Sequence, residues 1–289
     1  MEIIRASVLG YCMGVERAVN AALKTIEENK KLNARLYTLG PLIHNPLVLK
    51  QLEERGMNVL DDEEIKNLTP DDSVVIRAHG TTSKNMLMLE ERGVKVVDAT
   101  CPRVKQSQRR VKEWSEKGFD IIIAGDRNHG EVKSLEAFFD SGSGGKLYVV
   151  QNRTEAEEIQ LKKNTILISQ TTFSPEEYRA IIESIQNKNP EAVIFNSICR
   201  ATLERQLALE ELAQKVDAVL VVGGKQSANT RELKNHALKF CKNVELIEDE
   251  NEIPDSFFSY RTVGITAGAS TPEFAIDAVE SKLREKSKE

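Results

Sequence analysis

The sequence predicts an α/β protein in which parallel sheets are covered by helices. Short apolar runs alternate with amphipathic charged segments, and a pattern of apolar run, cysteine and helix-like segment occurs three times. Such alternation is typical of parallel sheets, because the connection between two parallel strands is usually a helix. The chain of 289 residues is long enough for roughly two or three such units.

The individual elements follow from apolar periodicity. Apolar residues run together, as in buried strands, at 74–76, 121–124, 165–168, 218–222 and 263–265. Apolar residues recur with helical spacing at 15–28, 102–117 and 203–215. The charged residues from about position 284 onward are predicted to fray.

Three of the four cysteines share one setting. Cys12, Cys101 and Cys199 follow apolar stretches at 6–9, 94–97 and 192–195, and a helix-like segment follows each of them. The recurrence predicts three related α/β units, each with one thiol at the carboxyl edge of its sheet. The predicted bounds are 13–99 for the first unit, 100–197 for the second, 198–275 plus 1–12 for the third, and 276–289 for a C-terminal tail.

The cysteine spacing restricts the chemistry. No CxxC pair is present, which argues against a zinc finger, and a reducing cytoplasm disfavours structural disulfides. A thiolate at a helix N-terminus is stabilised by the helix dipole, as a metal ligand requires. The alternative is that the three cysteines are unrelated core thiols. Cys241, near the end of a predicted helix, is predicted to have no chemical role.

Composition excludes several classes of protein. The net charge of −5 gives no indication of general nucleic-acid binding. The N-terminus lacks the layout of a signal peptide, and no apolar run approaches the roughly 18 residues of a membrane span. We therefore expect a cytoplasmic protein with neither a nucleic-acid nor a membrane partner.

Polar clusters follow the predicted strands, where open α/β sheets bind ligands. The clusters are GPLIHN (40–45), RAHG (77–80), GDRNHGE (125–131), QTT (170–172), GGKQSANT (223–230) and TAGAS (266–270). Three of the four histidines, His44, His79 and His129, lie in them. These imidazoles suit either a zinc ion or an anionic substrate.

Small polar residues in these clusters suit a phosphate group. Ser227, Asn229 and Ser270 are the predicted donors, because hydroxyls, amides and backbone N–H groups converge on phosphate oxygens without bulk. The loop GGKQSANT is neither a Walker A loop nor GxGxxG, so a nucleotide is not implied. Glu131, two residues after His129, is a candidate proton donor or relay.

Three cysteine ligands also differ from the usual number. Electron-transfer clusters normally have four cysteine ligands, so three leave one iron of a [4Fe–4S] cluster without a protein ligand. Such an iron is open to a substrate oxygen and can act as a Lewis acid. The three cysteines therefore predict a catalytic cluster.

The ordered motifs resemble those of a known family. GYCMGVERA, GPLIHN, RAHG, DATCP, GDRNHGE, SQTT, NSICRAT, GKQSANT and GITAGAS are similar, in this order, to the motifs of the IspH/LytB family, the 4-hydroxy-3-methylbut-2-enyl diphosphate reductases. The resemblance covers about residues 5–275. The chain departs from the family pattern at Gly130, where proline is usual, and at Ala228, where a second serine is common.

The resemblance implies a fold, a reaction and a set of site residues. The fold is a trefoil of three pseudo-three-fold-related α/β units around a central iron–sulfur site. The reaction is the last step of the non-mevalonate isoprenoid pathway, in which two electrons and two protons remove the 4-hydroxyl of an allylic diphosphate. An external donor such as flavodoxin or ferredoxin supplies the electrons.

By the same resemblance, each site residue has a role. Glu131 delivers protons with the help of Thr171, which lies near the substrate hydroxyl. The cluster ligands are Cys12, Cys101 and Cys199. The residues around the diphosphate are His44, His79, His129, Ser227, Asn229 and Ser270.

Two other functions fit part of the pattern. A non-enzymatic iron–sulfur sensor accounts for the cysteines but leaves the histidines, serines and Glu131 without a role. A zinc hydrolase built on the three histidines makes the cysteines structural. Metal and sulfide analysis distinguishes these alternatives.

Overall fold

The computed structural model describes residues 1–30, 34–161 and 164–286. In these residues every strand pair is parallel. The strands are β1 (Glu2–Arg5), β2 (Leu36–Leu39), β3 (Met57–Leu60), β4 (Ser73–Ile76), β5 (Lys95–Asp98), β6 (Asp120–Ala124), β7 (Leu147–Val150), β8 (Thr165–Ser169), β9 (Val193–Ile194), β10 (Ala218–Val222), β11 (Val244–Ile247) and β12 (Thr262–Ala267).

Helices connect the strands. They are α1 (Met13–Asn29), α2 (Pro46–Glu54), α3 (Ser83–Glu91), α4 (Pro102–Glu116), α5 (Gly130–Glu136), α6 (Arg153–Glu158), α7 (Pro175–Lys188), α8 (Arg200–Ala213), α9 (Ala228–Ala237) and α10 (Glu273–Lys286). Short 3₁₀ helices cover Asp62–Asn67, Ser141–Ser143, Glu250–Glu252 and Asp255–Ser259. None of the helices within the described part of the chain combines the length and the apolar character that a bilayer crossing requires.

Three four-stranded sheets, counted over the described residues, share one strand order. Two of them run β3-β2-β4-β5 and β7-β6-β8-β9, so the first strand in sequence lies second in the sheet. The third runs β11-β10-β12-β1, which is the same order with the last position filled from the N-terminus. Glu2 lies opposite Thr262 in that last pair. The three-fold recurrence predicted from the cysteines is thus present in the sheet topology.

The central strands of the sheets are fully buried. In β6, Ile121, Ile122 and Ile123 are all inaccessible to solvent, and β4, β8 and β10 are buried along their whole length. Strands covered on both faces read as continuous apolar runs rather than as alternating patterns. Burying each isoleucine contributes about 1.5–3 kcal/mol, so these runs fix the sheets from which the polar loops extend.

The chain divides into two compact units. The first unit comprises Met1–Glu16, Ile43–Gln51 and Arg200–Glu289, and it holds the sheet that includes β1. The second unit comprises Arg17–Leu42 and Leu52–Cys199, and it holds the other two sheets. The three-unit bounds drawn from the sequence, 13–99, 100–197 and 198–275 plus 1–12, stay a prediction.

Two sequence predictions are wrong near the chain ends. The strand before Cys12 is Glu2–Arg5 rather than the apolar stretch 6–9, because the chain leaves the sheet after residue 6 and turns at Gly10 with φ +77°. Residues 276–286, predicted as part of a tail, belong to α10. Ile276, Val279 and Leu283 on that helix are buried in the core of the first unit.

Candidate active site

Cys12, Cys101 and Cys199 each lie directly before the first residue of a helix. The helices are α1, α4 and α8, and the three cysteines are partly exposed and form no disulfide among the described residues. A helix N-terminus carries partial positive charge, which stabilises a thiolate and any anionic group bound to it. The helix-start position predicted for each cysteine is therefore confirmed.

The two cysteines of the second unit are tied to its polar clusters through their backbones. The Cys101 N–H donates to the carbonyl of Ala78 over 2.9 Å, next to His79. The Cys199 N–H donates to the carbonyl of Thr171 over 2.8 Å. The backbone of Cys101 is thus bonded to the neighbour of His79, and the backbone of Cys199 is bonded to Thr171 itself. Both His79 and Thr171 are predicted substrate-binding residues.

Cys12 is anchored in the first unit in the same way. Its N–H donates to the carbonyl of Ala269 over 3.1 Å, next to Ser270. The preceding loop is held by the buried Arg205 of α8, whose guanidinium donates to the Gly10 carbonyl over 2.5 Å. Hydrogen bonding therefore fixes the position of Cys12 even though no strand leads directly into it.

Glu131 is a buried carboxyl in the second unit, with only 1% of its surface exposed. One oxygen accepts the Thr171 backbone N–H over 2.8 Å, and the other accepts the Thr171 hydroxyl over 2.7 Å. Burial raises the pKa of Glu131 to about 7, while the two bonds from Thr171 act in the opposite direction. A carboxyl with this pKa exchanges protons readily at neutral pH.

His129 links this carboxyl to a second imidazole. Its Nδ1 accepts the Glu131 backbone N–H over 3.1 Å, so in the neutral ring the proton lies on Nε2. The ring of His79 packs against that of His129 edge to face, with centroids 4.9 Å apart. His79, His129, Glu131 and Thr171 therefore form one contiguous cluster, joined by backbone bonds to Cys101 and Cys199.

The turn that carries His79 leaves no room for a side chain. Gly80 has φ +79°, and a Cβ there would lie 2.6 Å from the Nε2 of Gln108 and 2.8 Å from the Oγ of Ser134. Those two side chains hydrogen-bond each other over 2.6 Å and join α4 to α5. Glycine is therefore required at this turn by both backbone conformation and space.

Arg77 lies against Gly130 at the start of α5, although its sequence context did not predict it as a site residue. A Cβ on Gly130 would lie 2.8 Å from one terminal guanidinium nitrogen, and a Cβ on Gly40 would lie 2.7 Å from the other. The Arg77 Nε donates to the Gly80 carbonyl over 3.3 Å, and burial lowers the pKa of the guanidinium. The absence of a side chain at Gly130 leaves space for this cation. The signal in the sequence that could have identified Arg77 is its position between a buried strand and the His79–Gly80 turn.

In the first unit, the start of α9 carries two predicted anion ligands. Ser227 caps the helix by accepting the Thr230 N–H over 3.4 Å. Asn229 is 5% exposed, and its amide nitrogen has no hydrogen-bond partner among the described residues. A buried donor left unsatisfied costs about 1–3 kcal/mol, which favours binding of an acceptor there. A helix N-terminus attracts an anionic acceptor in particular.

His44 and Ser270 lie together in the same unit. The Ser270 hydroxyl donates to the His44 carbonyl over 3.4 Å. A side chain at Gly224 would collide with that same carbonyl, so the loop that leads to α9 also passes close to His44. The first unit therefore gathers three of its polar loops around His44.

The predicted site residues thus fall into two groups. Cys12, His44, Ser227, Asn229 and Ser270 belong to the first unit. His79, Cys101, His129, Glu131, Thr171 and Cys199 belong to the second unit. Cys241 lies in the core cluster beside β10, and its lack of a chemical role stays a prediction.

Comparisons with known sequences give one consistent result. The family model described as LytB protein matches residues 3–284. The 4-hydroxy-3-methylbut-2-enyl diphosphate reductase of Treponema denticola is 47% identical, over 99% of this chain and 100% of the relative. The protein of that name from Caldanaerobacter subterraneus subsp. tengcongensis is 42% identical, over 98% of this chain and 97% of the relative.

Solved structures confirm the predicted fold class. The E-1-hydroxy-2-methyl-but-2-enyl-4-diphosphate reductase from Plasmodium falciparum is similar, with a TM-score of 0.88 and 24% identity over 97% of this chain and 87% of that one. A structure of (E)-4-hydroxy-3-methyl-but-2-enyl diphosphate reductase has a TM-score of 0.72 and 34% identity, over 99% of this chain and 100% of that one. The full-length family match and these relatives show that the chain belongs to the LytB protein family.

Proposed function

We propose that this chain is an iron–sulfur reductase that removes the 4-hydroxyl of 4-hydroxy-3-methylbut-2-enyl diphosphate. The reaction consumes two electrons and two protons, releases water, and gives isopentenyl diphosphate and dimethylallyl diphosphate. It is the last step of the non-mevalonate isoprenoid pathway. Full-length relatives that bear this enzyme name support the proposal. The observation that carries it is the buried Glu131, held by Thr171, whose carbonyl accepts the Cys199 N–H.

The donor chemistry of the three helix-start cysteines fits an iron–sulfur cluster. Thiolates are the usual ligands of such clusters, and Cys12, Cys101 and Cys199 are partly exposed and form no disulfide among the described residues. Cys241 is 8% exposed, and its thiol contacts two backbone carbonyls at 3.6 Å, so it is not a ligand in this proposal. When bound, a [4Fe–4S] cluster with one iron free of protein ligands supplies electrons and a Lewis acid.

The proposed diphosphate ligands are neutral or cationic donors. Asn229 offers a buried amide N–H that lacks a partner among the described residues. Ser227 and Ser270 offer hydroxyls, and the N-terminus of α9 adds its dipole. His44, His79 and His129 complete the proposed set, and an imidazole N–H such as that on Nε2 of neutral His129 is a suitable donor to a phosphate oxygen.

Glu131 is the proposed source of protons. Hydroxide is a poor leaving group, so breaking the allylic C–O bond needs a proton on the departing oxygen. Protonated Glu131 can donate to the Thr171 oxygen at 2.7 Å while the Thr171 hydroxyl passes its own proton outward. Burial raises the pKa of this carboxyl to about 7, so Glu131 can take up another proton at physiological pH.

The electrons come from outside the chain in this proposal. We place an external carrier such as flavodoxin or ferredoxin in that role. The proposed location is the cytoplasm, where free thiols stay reduced.

The test is anaerobic purification, followed by iron and sulfide counting and by a reductive assay with the allylic diphosphate. We expect about four iron atoms and four sulfides per chain, and turnover to both products. Iron and sulfide without turnover would instead indicate a sensor. About one zinc without acid-labile sulfide would indicate a hydrolase built on the histidines.

A further inference from the structure

A basic pocket opens beside Cys101 in the second unit. Its volume is about 400 Å³, and Thr100 and Pro102, the two neighbours of Cys101, form part of its wall. The remaining lining residues are Arg17, Arg103, Lys105, Gln106 and Arg109. Four of the seven lining side chains are therefore cationic.

Most of this positive charge is not neutralised. Lys105 pairs with Asp98 over 2.5 Å. Arg17, Arg103 and Arg109 are exposed, and none of them forms an ion pair with any residue that the structure describes. The pocket therefore carries about three uncompensated positive charges on a chain whose net charge is −5.

Helix stability does not explain this arrangement. Arg103 lies in the first turn of α4, which contains no acidic residue. The positive end of the helix dipole favours carboxylates there and disfavours cations, by about 0.3–1 kcal/mol per charge. An external anionic partner would turn this unfavourable placement into a favourable one.

We propose that this pocket and its arginines form the docking surface for a small acidic electron-carrier protein. The inference rests on the proposed function, in which an external carrier must deliver two electrons for each substrate reduced. The carrier is oxidised by two electrons in all, two protons are consumed, and the hydroxyl leaves as water. Docking here brings the carrier against the residues on both sides of Cys101, a proposed cluster ligand.

The exposure of the arginines favours a protein over a small anion as the occupant. A site for a small phosphate typically surrounds it with buried donors, as we propose for Asn229 in the first unit. Long exposed arginines instead suit steering and weak docking of an acidic protein surface, whose association rate depends on ionic strength. The carrier is thus recognised by its negative charge and not by one fixed group.

The test compares two charge-matched double variants of the holoenzyme. Arg103→Glu with Arg109→Glu reverses two charges in the pocket. Lys66→Glu with Arg179→Glu reverses two exposed charges of the same unit outside it. The probe is an acidic ferredoxin or flavodoxin that supports turnover of the unaltered enzyme, and its Kd in the oxidised form is measured by calorimetry at low and at physiological salt.

We expect the pocket variant to raise the carrier Kd at least tenfold at low salt and to flatten its salt dependence, while the control variant changes the Kd less than threefold. If the pocket variant does not fold, Arg103→Gln with Arg109→Gln tests the same point with a smaller expected change. An unchanged Kd in a folded pocket variant would overturn the proposal. So would inorganic phosphate that binds the pocket without competing with the carrier.

A small chemical reductant separates this inference from the proposed function. With dithionite as the electron source, the pocket variant should turn over the allylic diphosphate at the rate of the unaltered enzyme. No turnover by the unaltered enzyme with any reductant would refute the proposed function. Normal dithionite turnover together with an unchanged carrier Kd would refute the docking surface alone.

Discussion

The first unit presents hydroxyl and amide donors at its strand ends, whereas the second presents a buried carboxyl and two packed imidazoles. In the first unit, Asn229 is a buried donor whose nitrogen lacks a partner among the described residues. In the second unit, Glu131 is a buried acceptor whose oxygens are both occupied by Thr171. The first arrangement is complementary to an anion, and the second is complementary to a proton. The difference supports the proposed roles of Asn229 in anion binding and of Glu131 in proton transfer, although the proposed diphosphate ligands His79 and His129 lie in the same unit as Glu131.

Removing one of the three proposed cysteine ligands has the largest expected effect. We expect Cys12→Ser, Cys101→Ser or Cys199→Ser to abolish or nearly abolish turnover, because each removes a thiolate from the proposed cluster. Iron and sulfide content and the visible spectrum measure the loss. Cys241→Ser is the matched control and should retain the cluster. A variant of the first three with full iron content and normal turnover would contradict the ligand assignment.

The second largest expected effect comes from replacing Glu131, the buried carboxyl of the second unit. Glu131→Gln keeps the size and hydrogen bonding of the side chain but cannot release a proton. We expect kcat to fall by about 10²–10⁴-fold, the usual contribution of general acid catalysis. The iron and sulfide content should stay unchanged in chemical analysis. The substrate affinity should stay unchanged in equilibrium binding. Turnover near that of the unaltered enzyme would remove Glu131 from the proton route.

A substitution in the first unit should instead affect binding. Asn229→Ala removes a buried donor that we assign to the diphosphate, and a hydrogen bond to a charged group contributes about 1.5–3 kcal/mol. We expect substrate affinity to weaken by about 10- to 100-fold, while the dependence of kcat on pH is preserved. Substrate titration of the holoenzyme measures the affinity. Loss of the cluster with unchanged affinity would show that Asn229 has a structural role.

The pH dependence of turnover should follow the carboxyl of the second unit. Burial raises the pKa of Glu131 to about 7, so the protonated form predominates below that value and declines above it. We expect kcat to fall by about tenfold per pH unit above pH 7, and Glu131→Gln to abolish this limb. The raised pKa also contributes stability that is present at low pH and is lost as the pH rises through about 7. A limb that persists in the Gln variant would assign the titration to another group.

The smallest expected effect concerns the packing of Arg77 against Gly130 at the start of α5. A Cβ at Gly130 would lie 2.8 Å from a terminal nitrogen of Arg77, the mobile end of a long side chain. We expect Gly130→Ala to change the free energy of unfolding by about 1 kcal/mol or less, since the guanidinium can shift. Arg77→Ala should remove the clash, so a double-mutant cycle read by thermal melting should show coupling. Additive effects would indicate that the two positions do not interact.

Much of the fold was predictable because its signals are local. The strand predicted at 218–222 matches β10 at both ends, and the helix predicted at 102–117 ends one residue beyond α4. Buried apolar runs and a proline after Cys101 carry these predictions without help from the rest of the chain. The stretch 6–9 failed because it is not a strand: Ala6 and Val8 pack against α8, and Leu9 packs against the core cluster that includes residues of β12 and α10. Apolar composition alone does not distinguish a strand that pairs in a sheet from an irregular segment that packs in the core.

The sequence by itself determined the α/β class, the helix-start setting of three cysteines and the polar residues that follow the strands. Each of these depends on neighbours within a few residues, through periodicity, turn chemistry and helix capping. The tertiary structure decided which partners these residues have. Thr171 and Glu131 lie 40 positions apart in the chain, yet they share two hydrogen bonds. The raised pKa of Glu131, the fit of Gly130 against Arg77 and the basic pocket beside Cys101 arise because distant segments pack together, and local sequence carries no record of that packing.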